Sequence, residues 1–226
     1  MVQDSFGKLL FPGALILVLA IVSISQTAAP PDNTDIQSWN EVQLTVGLNK
    51  WADLYASGAV WFGKNISRFQ EEKLTIGVTF KPVRNFSFTP FFAQLRARSF
   101  AGVIEREYRI YLRGVYRFPF KRFGLSHRSQ YEYRFRPTGN TWRFAPSMTV
   151  EKELPNGFAP GLKLFATEEP FYDSAAKRFS RNRLSFGINK TLGKKLSIDL
   201  YYLRQDDNFS HPGLIHAIGT MWKIKL

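Results

Sequence analysis

The chain alternates apolar and polar residues in a way that predicts an all-β protein. The expected fold is a single antiparallel up-and-down transmembrane β-barrel of about 10–12 strands, preceded by a cleavable signal peptide. Three observations predict it. Segments of period two recur from residue 39 to the last residue. Many run 11–14 residues, beyond the roughly 5–6 of a soluble strand and enough for the roughly 9–11 that cross a bilayer at a tilt. Aromatics make up 15% of 226 residues in a chain that is nonetheless slightly polar on average, which implies two surfaces kept apart.

The N-terminal stretch is separate in kind. Lys8 follows a short polar start, residues 9–24 are almost wholly apolar, and small residues stand at Ser25, Thr27, Ala28 and Ala29. This is the three-part layout of an export signal. It predicts a signal peptide over 1–28 and a barrel domain over 29–226, with a retained anchor as the alternative. The apolar run falls short of the roughly 20 residues that a spanning helix needs. Its removal takes one charge of each sign, Lys8 and Asp4, so the net charge stays at +13.

The segments follow in order. Weak alternation marks 39–49 and 51–62. In 72–81, Leu74, Ile76, Val78 and Phe80 oppose Lys73, Thr75, Thr79 and Lys81. In 86–98, Phe91, Ala93, Leu95 and Ala97 oppose Gln94, Arg96 and Arg98. In 105–118, Tyr108, Ile110, Leu112, Tyr116 and Phe118 oppose Arg109, Tyr111, Arg113 and Arg117. The clearest is 124–136, where Leu125, Ser129, Tyr131, Tyr133 and Phe135, with His127, oppose Arg128, Gln130, Glu132, Arg134 and Arg136. At 3.6 residues per turn no helix separates these two sets. In 141–154, Trp142, Phe144, Met148 and Val150 oppose Arg143, Ser147, Thr149, Glu151 and Glu153. Weak segments at 158–168 and 195–205 flank 180–191, where Leu184, Phe186 and Ile188 oppose Arg181, Arg183 and Ser185. The last segment sets His216, Ile218, Thr220, Trp222, Ile224 and Leu226 against Lys223 and Lys225.

These make eleven segments. Bacterial single-chain barrels have even strand numbers, so twelve is expected, with one strand hidden near 30–40, and ten is the alternative. Tight turns at 49–50, 82–85, 119–122, 155–157 and 193–195 predict one short rim, and 168–179 and 206–213 predict longer loops at the other.

Periodicity alone does not say which face points inward, because a soluble barrel buries its apolar face. Aromatic residues near the segment ends suit interfacial girdles. Arginine facing lipid at mid-depth would cost roughly 2–4 kcal/mol. The polar face is therefore expected to line the lumen.

Several pieces resemble a known bacterial family, the domain of unknown function 2490 family of presumed outer-membrane barrels. They are Trp39 with Lys50-Trp51, the run from Ser126 to Phe135, Glu168-Glu169-Pro170-Phe171, Asn182-Arg183 with Gly187, and the stretch from Leu196 to Tyr202. The resemblance implies the fold and a location in the bacterial outer membrane. It implies no activity.

The expected lumen set is Arg96, Arg98, Arg109, Arg113, Arg117, Arg128, Arg134, Arg136, Arg143, Arg181 and Arg183, with Glu132, Glu151, Glu153 and Glu169. Such a wall attracts anions and suits a narrow channel for small acidic solutes. It equally suits a structural or envelope-interaction barrel whose interior is plugged by salt bridges. A third reading, a lipid-modifying enzyme, rests on His127 and Ser129, two apart and so on one face. His211 before Pro212-Gly213 is turn chemistry, and Glu168-Glu169-Pro170-Phe171 is expected to form a bulge. With no cysteine in the chain, disulfides and thiolate metal sites are excluded. No cofactor is expected. The expected partners are outer-membrane lipid and small acidic solutes. The cations are spread by alternation rather than clustered, which argues against nucleic acid.

Overall fold

The computed structural model describes residues 33–99, 102–155, 157 and 159–226. The expected signal peptide lies outside the described residues. Eleven strands close into one barrel: β1 (Thr34–Gly47), β2 (Ala52–Gly63), β3 (Arg68–Val83), β4 (Phe86–Arg98), β5 (Ile104–Phe118), β6 (Gly124–Phe135), β7 (Thr141–Glu153), β8 (Leu162–Asp173), β9 (Arg178–Thr191), β10 (Leu196–Asp207) and β11 (Leu214–Lys225).

The even strand count is corrected. Neighbours in sequence pair antiparallel, and β1 pairs with β11 in parallel, from Thr34↔Leu214 to Thr45↔Lys225. Up-and-down strands alternate in direction, so an odd number leaves the first and last running the same way. Their continuous ladder closes the wall without a twelfth strand between them. The barrel thus begins and ends at opposite mouths, called here the β1 rim and the β11 rim.

The expected difference in loop length is also absent. Strands β2 and β3 are separated by residues 64–67 and strands β1 and β2 by 48–51, equal lengths on opposite rims. Much of 168–179 is strand: β8 runs to Asp173 and β9 starts at Arg178. The expected bulge in Glu168–Phe171 is not where the irregularity falls: the register shifts between Phe171 and Tyr172, and the extra residue, Ser180, is on the facing strand β9. Around it β8 stays in the sheet. The turn at 208–213 is held by Asn33, whose Oδ1 accepts from Gly213 N at 2.7 Å and contacts His211 Nδ1 at 2.9 Å.

Alternation sends apolar side chains outward. Leu74 is 64% exposed and Ile76 60%, while Thr75 between them is 2% exposed. Outer aromatics form two bands. Near the β1 rim, Trp142 stacks on Tyr131 and Tyr172. Near the β11 rim, Phe80 stacks on Phe88, and Tyr116 meets Phe118 edge-on. Inside, apolar side chains pack in two patches. One is Trp39, Leu203, Ile215 and Ala217; the other is Phe91, Ala93, Leu95 and Tyr111.

The second patch overturns the expected phase of β4. Ala93 and Leu95 are fully buried inside, and Arg96 is exposed on the outer surface, paired with Glu72 at 2.8 Å. Both faces of β4 are apolar along much of its length, so Arg96 and Arg98 gave a misleading phase. Arg96 lies close to the rim, where the outer wall turns polar.

One inward ring needs a glycine. Tyr201 of β10 lies flat over Gly219 of β11, where an added Cβ would stand 2.0 Å from the ring.

Candidate functional site

The interior of the barrel is a polar lumen of about 790 Å³. It is one continuous space, bordered by Arg98 and Arg181 toward the β1 rim and by Lys163 and Lys223 toward the β11 rim. Eight arginines and three lysines border it, against five glutamates and one aspartate. Glu107, Asp173 and Asp207 pair with bordering arginines from beside the cavity.

Cross-strand register builds most of the cationic wall. Arg109 of β5 stands opposite Arg134 of β6. Two guanidinium groups face to face need a carboxylate between them, and Glu107 supplies it. Arg134 donates through Nε and Nη2 to Oε1 and Oε2 of Glu107 at 2.6 and 2.9 Å, in the planar fork that guanidinium favours. Arg109 donates to the same carboxylate and lies 3.6 Å from Glu132. Arg143 of β7 stands opposite Asp173 of β8 and donates to it at 2.9 Å. Arg134 comes within 3.8 Å of that same Asp173. The chain Arg109–Glu107–Arg134–Asp173–Arg143 is thus one network across four strands. Arg181 donates to Asp207 at 2.7 Å, and Arg128 pairs with Glu169.

Arg113 and Arg183 differ, as does Arg98, which donates to the carbonyls of Phe69 and Gly102. Arg113 donates to the neutral amide of Gln130 at 2.8 Å, and Arg183 to that of Gln205 at 2.7 Å. Neither forms an ion pair among the described residues. Both lie on aromatic rings instead. Arg113 is 4.9 Å from the Phe91 centroid. Arg183 is 4.8 Å from Trp39 and 4.9 Å from Phe171. Trp39 is itself stacked on Trp61, with centroids 4.1 Å apart. A ring face attracts a cation without cancelling its charge. Arg113 and Arg183 therefore present positive charge to the lumen without an ion pair, although Glu169 stands opposite Arg183 across β8 and β9.

The other expected lumen residues are placed as follows. Glu151 borders the lumen toward the β11 rim. Arg98 borders it at the end of β4, where Nε donates to the Phe69 carbonyl at 3.1 Å. Arg96 is outside the barrel. Arg136 follows the last residue of β6 and does not border the cavity; Glu153, the last residue of β7, is exposed. Arg117 borders a separate small cavity at the β11 rim. The alternation ran past the strand ends in these cases, where side chains project over the rim.

Sequence reasoning missed Glu107, Asp173 and Asp207, and the rings of Trp39, Trp61 and Phe171. The signal was available. Glu107 is two residues from Arg109, and Asp173 is two from Phe171 and four from Glu169, so each shares the inward face.

His127 and Ser129 do meet, with Nε2 and Oγ sharing a hydrogen bond of 2.9 Å. They sit on the outer surface. Their cross-strand neighbours are Tyr116, Gly114, Met148 and Pro146, none of which is a carboxylate to orient the imidazole. No group of three or more metal-ligating side chains occurs among the described residues.

A family model described as "Protein of unknown function (DUF2490)" matches residues 36–214. No curated protein matches the sequence. Among solved structures, the barrel is similar to that of the NanC porin, at a TM-score of 0.54 and 12% identity, over 85% of this chain and 99% of that one. The KdgM porin aligns at a TM-score of 0.44 and 12% identity, over 77% and 92% of the two chains. An anion-selective porin from Comamonas acidovorans aligns at 0.40 and 13%, over 78% and 54%. At such identities the first of these likenesses establishes a shared barrel fold.

Proposed function

We propose that this chain, which belongs to the DUF2490 family, is a channel of the bacterial outer membrane. Its lumen prefers anions and passes small acidic solutes. The membrane location is supported by the outer wall. An apolar surface flanked by two aromatic bands suits a hydrocarbon layer bounded by two interfaces. A closed barrel also satisfies every backbone group within the sheet, as lipid requires. The porin-like fold of the NanC structure is consistent with this location.

The observation that carries the channel reading is the excess of cations bordering the continuous lumen, with Arg113 and Arg183 among those that form no ion pair. Fixed positive charge in a confined aqueous path lowers the energy of an anion there and raises that of a cation. Planar-bilayer recording on refolded protein tests it. Steps of conductance with a reversal potential favouring chloride over potassium are expected. Absence of conductance in protein shown to be inserted would reject the channel.

A second reading has its own observation. The network from Arg109 to Arg143 runs along the inner wall of β5–β8 near the β1 rim, and a barrel narrowed in this way suits a closed structural element. Silent insertion in the same recordings would favour it. The envelope-enzyme reading is weaker, because the His127–Ser129 pair has no orienting carboxylate on the neighbouring strands.

A further inference from the structure

The β11 rim carries a second, smaller cavity of about 290 Å³. Lys50 comes from the β1–β2 turn and Arg84 from the β3–β4 turn, while Lys81 and Arg117 lie near the ends of β3 and β5. Backbone hydrogen bonds hold these elements together: Lys81 N donates to the Trp51 carbonyl at 2.7 Å, and Arg117 N to that of Asn85 at 2.8 Å. Of the four cations only Lys81 has a carboxylate partner, Asp53 at 2.7 Å. Among the described residues Lys50, Arg84 and Arg117 form no ion pair. Lys50 rests on the Trp51 ring at 5.1 Å.

Three unpaired cations at one small cavity form a place for a multiply hydrogen-bonded anion. Lysine and arginine together supply both a point charge and planar forks. The remaining wall is apolar: Trp51, Val83 and Phe86 are 54%, 59% and 36% exposed. Phe86 leads into the outer aromatic band, since it lies 6.4 Å from Phe88, which stacks on Phe80. The cavity therefore straddles the lip, with cations above and a greasy slope running down the outer wall. A free solute would use the charge and leave the slope wet. An amphiphile uses both. The volume suits a headgroup rather than a larger ligand.

We infer that this cavity binds the phosphate group of an anionic membrane lipid, whose glycerol and upper acyl carbons lie against Trp51 and Phe86. The inference rests on the membrane location proposed above. The site would fix the depth of this rim in one leaflet, as charged and aromatic residues do at membrane interfaces.

Native mass spectrometry of the full chain in non-ionic detergent, with added phosphatidylglycerol or phosphatidylcholine, tests the site. Wild type is expected to retain one phosphatidylglycerol at least tenfold more strongly than phosphatidylcholine. The variant Lys50→Gln/Arg84→Gln/Arg117→Gln is expected to lose that preference. A control, Lys121→Gln/Arg122→Gln/Lys194→Gln, changes equal charge elsewhere on the same rim and is expected to keep it. Equal loss in both variants would mean diffuse attraction and would overturn the site. Displacement of the lipid by inorganic phosphate at comparable concentration would overturn the lipid as ligand in favour of a free anion. Insertion into phosphatidylcholine vesicles is scored separately. Wild type that inserts yet shows no lipid preference defeats the site alone, whereas wild type that fails to insert defeats the membrane reading.

Discussion

Replacing Arg113 and Arg183 together by glutamine removes two lumen charges that form no ion pair, and the size of the effect follows from electrostatics. Side chains of this length bring each guanidinium to roughly 5–8 Å from an ion on the barrel axis. A unit charge at that distance contributes about 0.5–3 kcal/mol, between the dielectric of water and that of a protein surface. With screening at 0.1 M salt, where the Debye length is about 10 Å, about 1 kcal/mol per arginine is a fair working value. That is about fivefold each in anion permeability, and roughly 25-fold for the pair, with an opposite change for the cation. The assay is the reversal potential across a planar bilayer under a potassium chloride gradient near 0.1 M. Wild-type preference for chloride should fall by more than tenfold in the double variant, and should shrink for both proteins at 1 M salt. Arg96→Gln provides the control, since Arg96 lies outside the barrel with Glu72. An unchanged reversal potential in the double variant, or an equal change in Arg96→Gln, would refute the assignment of lumen charge.

Three further outcomes are expected. Glu107→Gln leaves Arg109 and Arg134 facing each other without a carboxylate between them. A cost of about 2–4 kcal/mol is expected, below the full value for a dry buried pair because the lumen is polar. Denaturant unfolding in micelles measures it, and Glu107→Gln/Arg109→Gln should recover part of the loss. Gly219→Ala drives a Cβ into the Tyr201 ring and should destabilise by about 1–3 kcal/mol, with rescue by a second change, Tyr201→Ala. The parallel closure can be tested by cross-linking, since the chain has no cysteine of its own. Ser38→Cys/Ile218→Cys places a thiol pair at directly opposed positions and should oxidise readily, whereas a strand inserted between β1 and β11 would leave the pair apart.

Much of this molecule was legible in its alternation. The segment 124–136 predicts β6 to within a residue, and the inward positions of Arg128, Glu132 and Arg134 follow from its phase. The same rule placed Arg109, Arg113, Arg143, Arg181 and Arg183 on the lumen wall. It fails on β4, where Phe91 and Phe92 give both faces an apolar residue and the only charged markers, Arg96 and Arg98, stand near the strand end. It also failed where Arg117 and Arg136 reach past the wall, because a period of two carries no mark of where the sheet stops.

The sequence by itself determined that strands form and, on nearly every strand, which side chains share a face, because that follows from the local geometry of an extended chain. Only the closed barrel decided the strand count and which arginines keep their charge. Parity is a property of the whole circuit: eleven strands meet in parallel whatever any single strand prefers. Neutralisation depends on which residues the register brings opposite each other. Arg143 meets Asp173 across one strand pair and bonds it, while Arg183, opposite Gln205 on one side and Glu169 on the other, bonds the amide and leaves Glu169 to Arg128. Charges far apart in the chain cancel, or fail to, according to distances that exist only once the sheet has closed.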